Sequence, residues 1–269
     1  MPKKRETEVQ FARLLGNTPL QIELTLMTTA SYIPTNEEKG YLEEFYFKLN
    51  DIKNHFFDAL IITGAPVETL PFEKVNYWDE LKEIIDWSLT HVFQRMGVCW
   101  GAQALLYYRY SIPKHQLKDK IFGVFDHQIN PARLRLMQGF TDIFPMPISR
   151  YTETRYADIK KIQSIDVLAE SSSTGIGMII DNQTDDLFIF NHLEYDVNTL
   201  DQEYKRDLEV KKNIQLPHNY YPDDNFKNTP LNKWRPFAFL LFANWVNQLY
   251  QKTPYDLTSL AKQKSNLLI

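Results

Sequence analysis

One cysteine stands in 269 residues, so no intrachain disulfide can form, and a lone thiol fits a reducing compartment. Long apolar runs are also missing: the most apolar window, residues 237–246, is too short to span a bilayer and carries Asn244. The opening Met1-Pro-Lys-Lys-Arg-Glu-Thr-Glu is charged where a secretory signal would be apolar. Beyond Lys3-Lys4-Arg5 there is no basic block. The 30 basic and 34 acidic residues are mixed, with a net charge of −4, which argues against a nucleic-acid partner. No clustered His, Cys or acidic spacing marks a metal site, no glycine-rich loop would cradle phosphate, and no repeat or low-complexity tract is present. What is present is a core-forming composition, 43% hydrophobic with 17 Phe and 15 Tyr. The expectation is one cytoplasmic α/β domain over residues 1–269, off the membrane.

Local patterns fill in that domain. Leu20-Gln-Ile-Glu-Leu-Thr-Leu26 alternates apolar and polar residues and reads as a half-buried strand. Ala59-Leu-Ile-Ile-Thr-Gly-Ala-Pro66 is a continuous apolar run ending in turn residues, the pattern of a strand covered on both faces. A helix follows, with Asn76 as N-cap and Leu81, Ile84, Ile85, Leu89 and Val92 on one stripe. A strand then leads into Gly97-Val98-Cys99, with a helix over residues 102–108. Residues 176–180 and 187–190 read as strands, and residues 200–210 and 233–250 as helices. The Pro- and Asn-rich stretch 216–230 reads as a surface excursion. Strands alternating with helices predict a sheet with right-handed crossovers.

The chemistry concentrates at Gly97-Val98-Cys99-Trp100-Gly101, placed between a strand and a helix. So sharp a turn strains its central residue and presents that side chain, while flanking glycines remove side chains that would collide. The helix N-terminus favours negative charge on sulfur and can hold an oxyanion, with the Trp100 N–H as the natural donor. A thiol nucleophile needs a base and an orienting group. His192 closes an apolar strand, and Glu194, two residues on, would share its side of an extended segment and fix its tautomer. Both His192 and Cys99 then fall at carboxyl ends of strands, where open α/β sheets hold ligands. His127, after Gly-Val-Phe, is a weaker candidate. His55, His91, His115 and His218 lie in helix-like or loop contexts and read as solvated.

Cys99 with His192 and Glu194 resembles the triad of the class I glutamine amidotransferase-like fold, and Gly97-Val-Cys-Trp-Gly-Ala-Gln103 is similar to its nucleophile elbow. Longer stretches narrow the resemblance to the homoserine O-acyltransferase family, the homoserine O-succinyltransferase-like enzymes of methionine biosynthesis. These are Met1-Pro-Lys-Lys-Arg-Glu-Thr-Glu, Thr63-Gly-Ala-Pro66, Gly123-Val-Phe-Asp-His127, His192-Leu-Glu-Tyr-Asp196, Asn228-Thr-Pro230 and Thr253-Pro-Tyr-Asp-Leu257. The resemblance implies a flavodoxin-like doubly wound sheet and a ping-pong acyl transfer without a resident cofactor. Cys99 would take the acyl group from acyl-CoA and pass it to L-homoserine, with His192 as base and Glu194 orienting it. The family's substrate-binding positions correspond to Lys120, Ser149 and Arg206, the last offering a planar fork for a carboxylate. A second oxyanion donor would come from the backbone near Gly64-Ala65.

The resemblance also bears on the acyl donor. Family members that use succinyl-CoA have glycine at one position after the Thr-Gly-Ala-Pro turn, whereas acetyl-CoA users have glutamate. Here it is Glu68, whose carboxylate would occupy the room of a succinyl carboxylate and repel it. Acetyl-CoA is therefore the expected donor. Two departures stand out. Family members carry a further N-terminal segment with the first strand of the sheet ahead of Met-Pro-Lys-Lys, so a sheet lacking that strand is expected, with unpaired backbone groups on its neighbours. Leu193 also replaces the family's usual proline between His and Glu. The rival readings are a homoserine O-succinyltransferase, a glutamine-hydrolysing amidotransferase and an inactive truncated remnant. The family further suggests a homodimer.

Overall fold

The computed structural model describes residues 4–31, 40–130, 135–210 and 214–261. Its centre is a seven-stranded sheet with helices on both faces. The elements run α1 (Lys4–Leu15), α2 (Tyr41–Phe45), α3 (Leu49–Ile52), β1 (Phe57–Ile62), α4 (Trp78–His91), β2 (Val92–Val98) and α5 (Trp100–Tyr110). They continue with β3 (His115–Ile129), β4 (Ile143–Glu153), α6 (Tyr156–Ile159), β5 (Ile165–Ser171), β6 (Gly175–Asp181), β7 (Leu187–Ile189), α7 (Thr199–Glu209) and α8 (Arg235–Lys252).

The strand order is β1-β2-β7-β6-β5-β3-β4. Only β1, β2 and β7 are parallel to one another. From β7 outward the pairs are antiparallel, so the sheet is mixed. Alternation along the strands divides the core. Met96, Val98, Met178, Leu187 and Ile189 pack with Phe11 and Leu14 of α1 and Leu241, Phe242 and Trp245 of α8. Ile62, Ile179 and Phe188 face the other way, onto Leu81 and Ile85 of α4 and Leu105 and Leu106 of α5. Both faces of the central strands are thus buried, as their unbroken apolar runs require.

Several local expectations change. Helix α4 starts at Trp78 behind Tyr77, not behind Asn76. The 3₁₀ turn Phe72–Lys74 precedes it, and Trp78 N–H bonds the Val75 carbonyl at 2.9 Å, so the turn delivers the helix start one residue later. Val92 does not extend the α4 stripe; it opens β2 directly at the helix end. Residues 20–26 are not a strand. The one isolated parallel bridge of this stretch joins Met27, just past them, to Phe47, whose N–H bonds the Leu26 carbonyl at 2.8 Å. A ladder needs a neighbour about 4.8 Å away. Here an apolar groove of about 1010 Å³ lies between this segment and β1, walled by Leu24, Phe57, Ile61, Phe11, Trp245 and Leu249. Among the described residues β1 is the sheet's edge and pairs on one side only, with β2.

A buried ion cluster joins β2 and α5 to the start of β7. The Arg95 Nε–H reaches both oxygens of Asp186 at 2.9 and 2.8 Å, and the Arg95 backbone N–H reaches Oδ1 at 2.9 Å. Arg109 pairs with the same carboxylate. Arg95 and Asp186 have no solvent exposure. Removing one partner strands a buried charge, at about 3–5 kcal/mol. Asp186→Ala is expected to lower the thermal midpoint by roughly 10 °C; a melt within a degree of the parent would overturn this assignment.

Candidate active site

Strand β2 ends at Val98 and α5 begins at Trp100, leaving Cys99 alone in the turn. Its backbone sits at φ 53°, ψ −120°, a conformation unusual for a residue with a side chain, and such strain is of order 1–3 kcal/mol. The flanking glycines are set by close approach. A Cβ at Gly97 would stand 2.5 Å from the Ala102 Cα, and one at Gly101 would stand 2.2 Å from the Ile62 carbonyl oxygen at the end of β1. The Cys99 N–H is engaged by the Ile189 carbonyl at 2.7 Å, which fixes the elbow to β7. At the first turn of α5, Trp100 and Gly101 present N–H groups with no helical carbonyl to receive them. The indole of Trp100 is buried and packs against Phe72 and Tyr77.

His192 follows β7 and is held in a turn. Its N–H bonds the Pro147 carbonyl at 2.9 Å, and Tyr195 N–H returns to the His192 carbonyl at 3.3 Å. The two side chains therefore do not meet by alternation along an extended segment, as the sequence spacing suggested; the chain turns at once after β7 and folds Glu194 back. His192 Nδ1 lies 2.6 Å from Glu194 Oε1, with both side chains buried. The carboxylate accepts a hydrogen bond from Nδ1–H, which leaves Nε2 as the nitrogen available to Cys99. Burial pulls the His192 pKa down, but the charges and hydrogen bonds of Cys99 and Glu194 outweigh it and lift it well above the ordinary histidine value. The Tyr195 ring stacks on the imidazole at 4.1 Å between centroids. Helices brace this turn: Arg13 of α1 pairs with Asp196 and reaches the Glu194 carbonyl at 3.2 Å, and the Trp234 indole N–H donates to the Tyr195 carbonyl at 2.9 Å.

Gly64 lies against the nucleophile. A methyl group there would be 3.1 Å from the Cys99 Cβ and 3.6 Å from Sγ, so the Gly64-Ala65 backbone runs beside the sulfur. Four residues along, the Glu68 carboxylate Oε2 accepts the Tyr151 N–H at 2.9 Å and faces the Thr152 hydroxyl at 3.3 Å. Burial raises the Glu68 pKa, against the opposing pull of these hydrogen bonds and of His192 and Lys120.

Lys120, Ser149 and Arg206 converge through two acids on α7. Ser149 Oγ donates to Glu203 Oε2 at 2.5 Å, and Lys120 Nζ is 3.8 Å from the same oxygen. Lys120 Nζ also lies 3.1 Å from Asp207 Oδ2, while Arg206 contacts Asp207 Oδ1 at 3.1 Å. Burial disfavours ionisation of Asp207, but the two cations prevail and hold its pKa below the usual range. Lys120 is not in a loop; it sits on β3 where the register to β4 shifts between Gln116 and Ile121. Tyr195 joins this cluster to His192 by donating its hydroxyl to Glu203 Oε1 at 2.8 Å.

Glu203, Asp207 and Tyr195 were not singled out in the sequence. The signal available was the i, i+3, i+4 spacing of Glu203, Arg206 and Asp207, which puts all three on one helix face. His127 is structural. Burial holds its pKa at about 4, and it is bonded to the Phe125 carbonyl and Asn191. His91 and His218 are not simply solvated, since they stack on Phe56 and Phe125, and His115 pairs with Asp158. Among the described residues no group of His, Cys, Asp and Glu could hold a metal ion, and no helix is long and apolar enough to cross a membrane.

The chain is similar to known proteins over most of its length. The homoserine O-acetyltransferase of Allorhizobium ampelinum is 48% identical over 263 residues, which cover 97% of this chain and 85% of that protein. The homoserine O-acetyltransferase of Bacillus cytotoxicus is 48% identical over 258 residues, covering 96% and 86% respectively. Among solved structures, a glutamine amidotransferase from Thermotoga maritima superposes with a TM-score of 0.56 at 13% identity, over 86% of this chain and 100% of that one. One from Methylobacillus flagellatus gives 0.56 at 10% identity, over 88% and 99%. At such identities the likeness is one of fold: a class I glutamine amidotransferase-like α/β fold. The model of the homoserine O-succinyltransferase family matches residues 1–255, and with these relatives over nearly its whole length, the chain belongs to that family.

Proposed function

We propose that the chain is a homoserine O-acetyltransferase, working through an acetyl thioester on Cys99. The observation that carries the mechanism is the strained elbow with a buried His192–Glu194 pair behind the sulfur. The near full-length relatives bearing that enzyme name support the substrate class.

In the first half-reaction the Cys99 thiolate attacks the thioester carbonyl of acetyl-CoA. The oxyanion that forms is received by the N–H groups of Trp100 and Ala65. The C–S bond to CoA breaks, and the His192 imidazolium gives its proton to the departing thiolate. Acetyl-Cys99 is neutral, so the cysteine charge that raised the His192 pKa is gone, and burial now favours the unprotonated ring. The base is thus freed when it is needed. In the second half-reaction His192 takes the proton of the homoserine hydroxyl, whose oxygen attacks the acetyl carbonyl, and the Cys99 thiolate leaves. Arg206 and Lys120 receive the homoserine carboxylate, and Ser149 adds a hydroxyl contact.

Acetyl-CoA is the proposed donor because the Glu68 carboxylate, fastened by the Tyr151 N–H and facing the Thr152 hydroxyl, stands on the loop that runs on from Gly64-Ala65 beside Cys99. A succinyl chain would bring a second carboxylate to that space, and the clash is of order a few kcal/mol. Glu68→Gly is expected to shift the ratio of kcat/KM for acetyl-CoA over succinyl-CoA towards succinyl-CoA by about 10- to 100-fold. Steady-state release of CoA with each donor checks it; an unchanged ratio removes Glu68 from donor choice.

A further inference from the structure

Glu68 stands on the loop between β1 and the 3₁₀ turn Phe72–Lys74, and that loop has few ties of its own. Within it, the Leu70 N–H bonds the Val67 carbonyl at 3.0 Å. The Glu68 carboxylate is fastened from β4 by Tyr151 and Thr152, and Thr152 Oγ1 in turn lies 2.9 Å from Gln103 Oε1 of α5. The main chain of the loop is held from another direction. Lys114, in the short link between α5 and β3, donates from Nζ to the Glu68 carbonyl and, at 2.6 Å, to the Leu70 carbonyl. Its ammonium also sits 4.3 Å from the centroid of the Phe72 ring, immediately after the loop. One cation therefore spans the loop at residues 68, 70 and 72.

We propose that Lys114 is a positioning residue for acyl-donor selection, clamping the backbone of residues 68–70 so that the Glu68 carboxylate stays across the acyl pocket. The proposal rests on the reading of Glu68 as the residue that excludes a succinyl group. A carboxylate discriminates against a longer acyl chain only while its own backbone cannot retreat. The two hydrogen bonds from β4 fix the tip of the side chain but leave its root to the loop. An ammonium suits the root, because three rotatable donors on a flexible stem can serve two carbonyls that point in different directions and leave one proton for an aromatic face. Hydrogen bonds from a charged donor are the stronger kind, so their loss changes the loop measurably.

The test is a double-mutant cycle on the full chain, read as the ratio of kcat/KM for acetyl-CoA over succinyl-CoA. Lys114→Met is expected to lower that ratio about tenfold, the effect of losing a charge-assisted contact, with the KM for homoserine unchanged. In the Glu68→Gly background the same substitution is expected to leave the ratio alone, because the group it positions is gone. A general packing defect would depress both donors together and would persist in that background. If Lys114→Met keeps the parental ratio, or lowers it equally without Glu68, the clamp is overturned. If Glu68→Gly itself leaves the ratio unmoved, the reading beneath it fails instead. Should Lys114→Met not fold, Lys114→Gln, which keeps one donor, is judged by the same ratios, with a smaller fall expected.

Discussion

Cys99→Ala is expected to lower kcat by at least about 10⁴-fold and to abolish any acyl adduct on the protein, because the thioester has no other thiol on which to form. Alanine is the informative replacement. It carries a Cβ, so it tolerates φ 53° no better and no worse than cysteine, and the elbow keeps its fixings: Cys99 N–H to Ile189 and its carbonyl to Ala102 and Gln103. A variant that folds like the parent and turns over nothing isolates the sulfur as the cause. Intact-protein mass spectrometry after acetyl-CoA, and again after homoserine, follows the load directly. The parent is expected to gain one acetyl group and then lose it, and the variant to gain none. Turnover that persists in Cys99→Ala would require direct transfer between the two substrates, and the ping-pong scheme would fall.

Glu194→Gln is the second large effect, about 10³- to 10⁴-fold in kcat. The glutamine nearly matches the carboxylate in shape but offers an N–H. Turned towards His192 Nδ1, that N–H makes Nδ1 an acceptor and leaves the proton on Nε2, the wrong nitrogen for a base facing Cys99. The charge matters as well, since Glu194 is among the groups that hold the His192 pKa up against burial. Without it the value falls, so the limb over which deacylation rises with pH moves to lower pH. Stability follows the same sign. A histidine whose folded pKa is raised contributes stability that is fully present below its unfolded value of about 6.5 and is lost as pH rises through the higher folded value. Glu194→Gln is therefore expected to lose most stability at acid pH and least at alkaline pH. Thermal midpoints measured across pH check this, and a uniform loss would count against a charge effect.

The parts of the site that were legible in the sequence are those built by adjacent residues. A strand, a turn and a helix lie contiguous around Cys99, and the two glycines are demanded by contacts that any such turn makes. His192 and Glu194 are near enough in the chain to suggest a pair, although their contact comes from a turn and not from strand alternation. Antiparallel β3, β4 and β5 were hidden for a different reason. β3 carries an exposed, charged stretch at Lys118-Asp119 and a register shift, so neither alternation nor an apolar run marks it. The segment 20–26 shows the converse. It has a strand's pattern without a ladder, because pairing belongs to two segments and only one is visible in a local pattern. Lys114 was beyond reach in the same way: its partners are backbone carbonyls 44 and 46 residues away, which no side-chain spacing encodes.

The left-handed backbone at residue 99 has a consequence for stability. Of the five residues of the elbow it alone is at positive φ, and it would sit more comfortably as glycine, which enters that region of φ freely. Robustness and chemistry thus pull the same codon in opposite directions. Glycine at position 99 is therefore expected to relieve the strained turn and to end the chemistry in one step, a variant firmer than the parent that cannot carry an acyl group.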